Sequence, residues 1–360
     1  MIATDRLDYA LPPELVAQKP SQQRDGSRLL VVDRYSHTTE HRHFSDLPDY
    51  IRRGDTLLRN NASVLPARLL GRRPTGGKIE CFLLRKAAEA PQGGEDWQCL
   101  VRPGRRLPAG SRFEAAASLQ GTVVSVSPDG TVLVRFVSCD GASVAEAANK
   151  AGEVPLPPYI VRDDSSRREE DRDRYQTVYA DPARQVAVAA PTAGLHFTPA
   201  VLGRIEAKGA ATADLTLHVG LGTFRPIATE FIEAHPIHSE IYEIPAATQK
   251  RLFKKEGGRR FAVGTTTVRT VEDFLSRHDA PTGGNHVSEA SIYIHPPFSF
   301  RGVDAMITNF HQPRSTLLCL VAAFLDPGGT AGIDWLMQIY AEAVSRRYRF
   351  FSYGDSMLIL

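Results

Sequence analysis

The chain has 360 residues, 42% of them hydrophobic and 23% charged, the balance of a folded protein with length for one large domain or two ordinary ones. Its longest apolar run, "LLCLVAAFL" at 317–325, is far too short to span a bilayer, and the charged, proline-punctuated N-terminus carries no signal-type apolar segment, so a cytoplasmic protein making no use of a membrane is expected. Four widely separated cysteines without a C-x-x-C pair speak against a disulfide framework or a cysteine zinc site, while a net charge of +2 leaves room for a local basic patch.

In chain order, residues 1–56 mix short apolar runs such as "RLLVVD" with turn signals such as "RDGS" and "RRGD". From about Thr56 to Asp140 come short strand-like runs between Gly/Pro turns: "TLLRN", "PARLLG", "KIECFLLRK", "WQCLVRPG", "SRFEAAA", "GTVVSVSPDG" and "TVLVRFV". The Pro-Asp-Gly at 128–130 between valine-rich runs predicts a hairpin, and the set predicts a small antiparallel barrel or sandwich. "SVAEAANKAG" predicts a helix with Ser143 as N-cap and Gly152 beyond its end. "EVPLPPYIVR" reads as a rigid link and "DDSSRREEDRDR" as a charged, mobile surface segment. Beyond Tyr175, strand-like and helix-like pieces alternate, including "QVAVAAP" before a helix capped by Thr198 with Pro199 at its first position. That alternation predicts an α/β domain with largely parallel strands.

Several of these strands end in small polar loops: "VAVAAPTAGLHF", "LTLHVGLGTFRP", "FAVGTTTVRT" and "MITNFHQPRST". In α/β domains ligands bind where strands deliver such loops, with glycine admitting close backbone approach and threonine adding donors and acceptors. Converging, the four would form a polar pocket with His196, His218 and His311 as acid/base candidates, although His218, alternating with leucines, also reads as a core histidine. "HPIHSE" has two histidines and a carboxylate, but Pro236 breaks regular geometry and no second cluster supports it, so no metal is expected. A P-loop, a Rossmann G-x-G-x-x-G and a G-x-S-x-G elbow are all absent.

Taken together, "APTAGLHFT", "LTLHVGLGTFRP", "HSE", "VGTTTVR", "ITNFHQPRSTLL" and "YRFFSYGDSML" closely resemble the S-adenosylmethionine:tRNA ribosyltransferase-isomerase family of queuosine biosynthesis. The resemblance continues upstream through "RDGSRLLVVDR", "NNASVLPARLLGRRPTGGKIE", "PLPPYI" and "YQTVYA" and covers essentially the whole chain. It implies an α/β fold: a barrel-like α/β catalytic domain of residues 1–56 and 153–360, carrying an inserted small antiparallel β-barrel at 57–152. It also implies an enzyme that transfers and isomerises the ribosyl group of S-adenosylmethionine onto 7-aminomethyl-7-deazaguanine at the tRNA wobble position. The product is epoxyqueuosine, with adenine and methionine released. S-adenosylmethionine is then a substrate and no separate cofactor is expected.

Such chemistry needs a base near the ribose carbon beside the sulfonium, a proton donor toward adenine and a neutral acceptor amine, tasks that suit imidazole near pH 7. Within the resemblance, Thr192, Gly194, Gly220, Gly222, Thr223, Thr265, Thr266, Thr267, Arg269 and Asn309 are expected to form the donor and deazaguanine pocket, with Arg269 paired to the donor carboxylate. Arg68, Arg72, Arg73 and Lys78, with Arg102, Arg105 and Arg106, are expected to hold tRNA phosphates. The chain departs from the family at Ala62 and Ser63, where a Thr/Ser and a basic residue are usual, at Val186 for a glycine, and at "HPP" (His295, Pro296, Pro297) for "YPG". These departures leave open a divergent relative acting on another nucleoside, or a non-catalytic RNA-binding one. With no heptad seam visible, a monomer is expected.

Overall fold

A computed structural model describes residues 1–90, 93–103, 107–115, 118–162, 167–218, 220, 226–254 and 257–360. A hairpin of β1 (Arg28–Asp33) and β2 (Thr38–His43) is followed by β3 (Thr56–Asn60) and the short β4 (Ser63–Val64). Next come β5 (Arg68–Arg72), β6 (Lys78–Glu89), β7 (Glu95–Arg102), β8 (Arg112–Ala115), β9 (Leu119–Val126) and β10 (Val132–Ser138), then helices α1 (Val144–Ala151) and α2 (Arg168–Arg174). After β11 (Gln185–Ala187) follow α3 (Pro199–Ala207), β12 (Ala211–Leu217), β13 (Glu240–Ile244), α4 (Ala246–Leu252) and β14 (Arg260–Val263). The chain continues through α5 (Thr265–Arg277), β15 (His286–Ala290), β16 (Ala305–Asn309), α6 (Thr316–Leu325), α7 (Gly332–Ser345) and β17 (Ser356–Ile359).

Nine strands form one mixed sheet in the order β15-β13-β12-β3-β14-β16-β17-β1-β2. Runs such as "LLVV" in β1 and "AMI" in β16 are apolar at successive positions because both faces of this sheet are covered. Leu29 and Val31 join a core with Phe44, Val201 and Ile205 on one face, whereas Leu30 and Val32 join Phe274, Val321 and Tyr340 on the other. Each such fully buried side chain stabilises the fold by roughly 1.5–3 kcal/mol. The centre, β12-β3-β14-β16, is parallel as expected; so is β17 with β1. The pairs β16–β17, β1–β2, β12–β13 and β13–β15 are antiparallel, so "largely parallel" describes only the middle of the sheet.

The six strands β5 to β10 close into an antiparallel barrel in the order β10-β7-β6-β5-β8-β9, filled by Leu69, Cys81, Leu83, Cys99, Phe113, Val134 and Phe136. Residues 128–130 turn the β9–β10 hairpin, and α1, capped by Ser143 Oγ accepting from Glu146 N (3.2 Å), packs Val144, Ala147 and Ala148 onto the barrel core. One boundary needs correction. The sequence reading starts the insert at residue 57, yet "TLLRN" is β3, hydrogen-bonded to β12 and β14 in the main sheet. A short apolar run buried on both faces looks the same in a barrel wall and in a central strand. The chain leaves the sheet only after β3, through "NNAS". Asn60 Oδ1 there accepts from the backbone of Ala62 (3.0 Å) and Leu217 (3.1 Å), and Asn61 Oδ1 accepts from Thr216 Oγ1 (2.7 Å).

The charged "RREEDRDR" is a second difference. Residues 163–166 lie outside those described, but 168–174 form α2, tied down by an ion pair from Arg162 to both oxygens of buried Asp171 (2.7 Å each). Tyr353 Oη also donates to Asp171 (3.1 Å). A single buried carboxylate with a bidentate guanidinium partner outweighs the segment's solvated composition. Among the described residues no helix is long and apolar enough to cross a membrane.

Candidate active site

β14 and β16 run side by side, and the loops after them open one cavity. β14 ends at Val263, and Gly264 at φ +88° turns the chain into α5, a conformation that costs side-chain-bearing residues free energy. Gly264 N–H donates to Ile307 O of β16 (2.7 Å), which locks the two loops to each other. Thr265 and Thr266 then line the cavity, whereas Thr267 turns away, its Oγ1 donating to Val263 O (2.7 Å). From the end of β16 and the loop after it come Thr308, Asn309, Phe310, His311 and Gln312; from the loop after β11, Ala190, Pro191, Thr192 and Ala193. Its mix of apolar walls with a few convergent polar groups is that of a small-molecule site.

The three candidate histidines separate clearly. His196 is buried and stands behind the wall rather than in it. The amide nitrogen of Asn309 donates to its Nε2 (3.0 Å) and faces the carbonyls of Phe351 (3.3 Å) and Asp355 (3.4 Å). Nε2 is therefore the bare acceptor and Nδ1–H donates to Ser27 Oγ (2.8 Å), with the ring stacked on Phe44 at 5.1 Å. Burial, then Arg349 and Arg24, pull its pKa down to about 3, so His196 is neutral at physiological pH. Because three acceptors surround Asn309 Nδ2, the amide has one sensible orientation. Its Oδ1 is left buried without a partner.

His311 does line the cavity. Its Nε2 is 2.8 Å from Thr308 Oγ1, its backbone N–H donates to Tyr340 Oη (2.9 Å), and burial lowers its pKa to about 3. His218 lies past the end of β12, where burial lowers its pKa against the opposing pull of Glu243, and it does not line this cavity. Gly220 donates its N–H to Glu240 Oε1 (3.1 Å), and Gly222 and Thr223 lie outside the described residues.

Gly194 and Arg269, both expected in the pocket, stand outside the main cavity. Gly194 supports the loop from behind: a Cβ there would sit 2.1 Å from Tyr179 Oη and 2.8 Å from Thr177 Cγ2. Arg269 is not in the main cavity but is drawn into the fold. It pairs with Glu240 (2.7 Å), and its other groups reach the carbonyls of Ile292 (3.0 Å), Ala290 (3.0 Å) and His238. An α5 residue facing a carboxylate on β13 is invisible in a linear motif. The wall also contains residues the sequence reading did not single out: Tyr159, Gln312, Ser315, Phe351 and Ser352. Tyr159 Oη lies 2.6 Å from Ser352 Oγ, and its ring is 4.7 Å from that of Phe351. The signal was an aromatic inside "PLPPYI", read there as a rigid link.

Of the expected phosphate holders, Arg72 and Lys78 are exposed cross-strand partners on β5 and β6, and Arg102 is exposed on β7. Arg68 is different: it is held between Glu80 (2.5 Å) and Glu153 (2.8 Å), so its charge is already matched. Arg73 is half-buried against Pro103 O (3.5 Å), and Arg105 and Arg106 lie outside the described residues. Ser63, where a basic residue is usual in the resemblance, is buried in β4 and accepts from Gln176 Nε2 (2.8 Å).

Comparison with known proteins places the whole chain in one family. A family described as "Queuosine biosynthesis protein" matches residues 4–359. A curated S-adenosylmethionine:tRNA ribosyltransferase-isomerase of Thermotoga maritima is 45% identical over 355 residues, 98% of each chain. One of Geobacter sulfurreducens is 45% identical over 361 residues, the whole of both chains. The crystal structure of the S-adenosylmethionine tRNA ribosyltransferase from Thermotoga maritima superposes with a TM-score of 0.54 at 37% identity, covering 99% of this chain and all of that one. The chain belongs to the queuosine biosynthesis protein family and is an enzyme of it.

Proposed function

We propose that the cavity at the ends of β14 and β16 transfers and isomerises the ribosyl group of S-adenosylmethionine onto the amine of 7-aminomethyl-7-deazaguanine at the wobble position of tRNA. The product is epoxyqueuosine, with adenine and methionine released. The observation that carries this reading is Asn309, a residue of the cavity wall whose amide is fixed by neutral His196 and whose buried carbonyl oxygen has no partner. A purine-like base offers N–H donors to such an oxygen, and an unmet buried acceptor costs roughly 1–3 kcal/mol until a ligand supplies one.

His311 is the histidine in reach of bound substrate. Burial keeps it uncharged, so it meets bound substrate as a neutral imidazole, able to hydrogen-bond but not to hold a charge. Thr308 fixes its Nε2, Thr192, Thr265 and Thr266 offer hydroxyls to the ribose, and Tyr159 and Phe351 give a base an aromatic wall. His196 orients and does not titrate. The outer barrel face around Arg72, Lys78 and Arg102 holds tRNA phosphates, and the protein works in the cytoplasm, where that tRNA is found.

The test incubates the protein with S-adenosylmethionine and tRNA bearing the aminomethyl-deazaguanine, then weighs the digested wobble nucleoside. The expected result is added ribosyl-derived mass with matching adenine. A wobble nucleoside of unchanged mass with no adenine released overturns the reading.

A further inference from the structure

A second cleft adjoins the first cavity and shares Thr265, Thr266 and Leu317 with it. Its walls are mostly aliphatic, from Ile237, Ile292, Ile294 and Leu320, and its polar end is formed by Glu240, Arg269 and His238. Glu240 Oε2 accepts from Arg269 Nη1 (2.7 Å) and Oε1 from Gly220 N (3.1 Å), so each oxygen keeps a lone pair in hand. Arg269 commits Nε and Nη2 to three backbone carbonyls, which leaves one Nη1–H beyond its bond to Glu240. His238 Nε2 is buried without a hydrogen-bond partner, 3.6 Å from Glu240 Oε1.

An aliphatic cleft ending in a matched carboxylate and guanidinium has no net charge to offer a simple cation or anion. It offers one of each to a zwitterion on a short aliphatic chain, and the orphaned imidazole nitrogen adds a second acceptor beside the carboxylate. We infer that this cavity receives the amino-acid end of S-adenosylmethionine, an assignment that rests on the reading of the larger cavity given above. Glu240 Oε1 and His238 Nε2 accept from the α-ammonium, and the remaining Nη1–H of Arg269 meets the α-carboxylate. The isoleucines and Leu320 enclose the methylenes. The adenosyl end passes Thr265 and Thr266 into the larger cavity, which places the sulfonium at the junction and leaves room for the acceptor base near Asn309.

Calorimetry on the full chain with S-adenosylmethionine, its analogue lacking the α-amino group, and adenosine tests this. The wild type is expected to bind the analogue at least 10-fold more weakly than the donor, and Glu240→Gln to abolish that difference. Ile237→Trp fills the cleft without touching the ion pair; it should weaken the donor at least 10-fold and leave adenosine unchanged, and it carries the test if Glu240→Gln fails to fold. Equal binding of donor and analogue by the wild type, or equal weakening of donor and adenosine by Ile237→Trp, overturns the assignment while leaving ribosyl transfer intact. No binding of S-adenosylmethionine to the wild type overturns both.

Discussion

The loops at the ends of β14 and β16 and the outer face of the barrel are both rich in polar side chains, but they are built on opposite principles. In the first, the groups behind the wall are assigned one to one: Thr267 to Val263, Thr308 to His311, and His196 between Ser27 and Asn309. What is left over, such as Asn309 Oδ1, is left over in a fixed place. On the barrel, Arg72, Lys78 and Arg102 stand in water on three adjacent strands, interspersed with Glu80 and Glu114. The first region loses function when one atom moves. On the proposed reading the second acts through summed charge, and removing one cation there is expected to have a small effect.

The largest consequence of that contrast is acid sensitivity. A folded histidine with its pKa near 3, against an ordinary 6.5, leaves the unfolded chain binding more protons below about pH 6.5. Stability from His196 is thus complete above pH 6.5 and is lost as pH falls toward 3, by about 5 kcal/mol over the whole window. His311 has the same sign. Urea midpoints measured from pH 7 to 4 should fall less steeply for His196→Gln than for the wild type; identical slopes would show that His196 is protonated in the folded protein.

Next in size is Gly264→Ala. An alanine at φ +88° costs roughly 1–3 kcal/mol, lowers the melting temperature and displaces Thr265 and Thr266. Thermal unfolding and adenine release should decline together, and a normal melting temperature would mean the turn relaxes freely. The smallest effects belong to the barrel. Arg72→Ala with Lys78→Ala should leave the melting temperature unchanged and reduce the slope of log affinity for tRNA against log salt by about 0.7–0.9 for each phosphate no longer neutralised. Arg68→Ala should do the reverse, costing up to about 1 kcal/mol of stability with the slope unchanged, because its charge is matched by Glu80 and Glu153. A flatter slope for Arg68→Ala alone would erase the distinction drawn between these arginines.

Much of the architecture was legible because local chemistry agrees with the fold. Ser143 and Thr198 cap helices as their sequences announce, and residues 128–130 turn a hairpin. What was not legible depends on distance. "TLLRN" carries no mark of whether its partners are barrel strands or β12 and β14. Asp171 is held by Arg162 and Tyr353, the latter 182 positions away. Arg269 reads as a carboxylate binder, and in the fold it already pairs with Glu240, 29 positions away on β13. Three of the four motif loops, those after β11, β14 and β16, line one cavity, while no described residue of the loop after β12 does; His311 lines the wall, His196 stands behind it and His218 lies elsewhere.

The central claim is that Asn309, oriented by an uncharged His196, presents its carbonyl to the substrate. It is tested most directly by adenine release from S-adenosylmethionine and aminomethyl-deazaguanine tRNA at saturating substrate, comparing wild type with Asn309→Ala. By analogy with other preorganised groups, the account predicts a loss of about 10²–10³-fold in kcat with the protein still folded. An Asn309→Ala protein that is folded and turns over at the wild-type rate would contradict it.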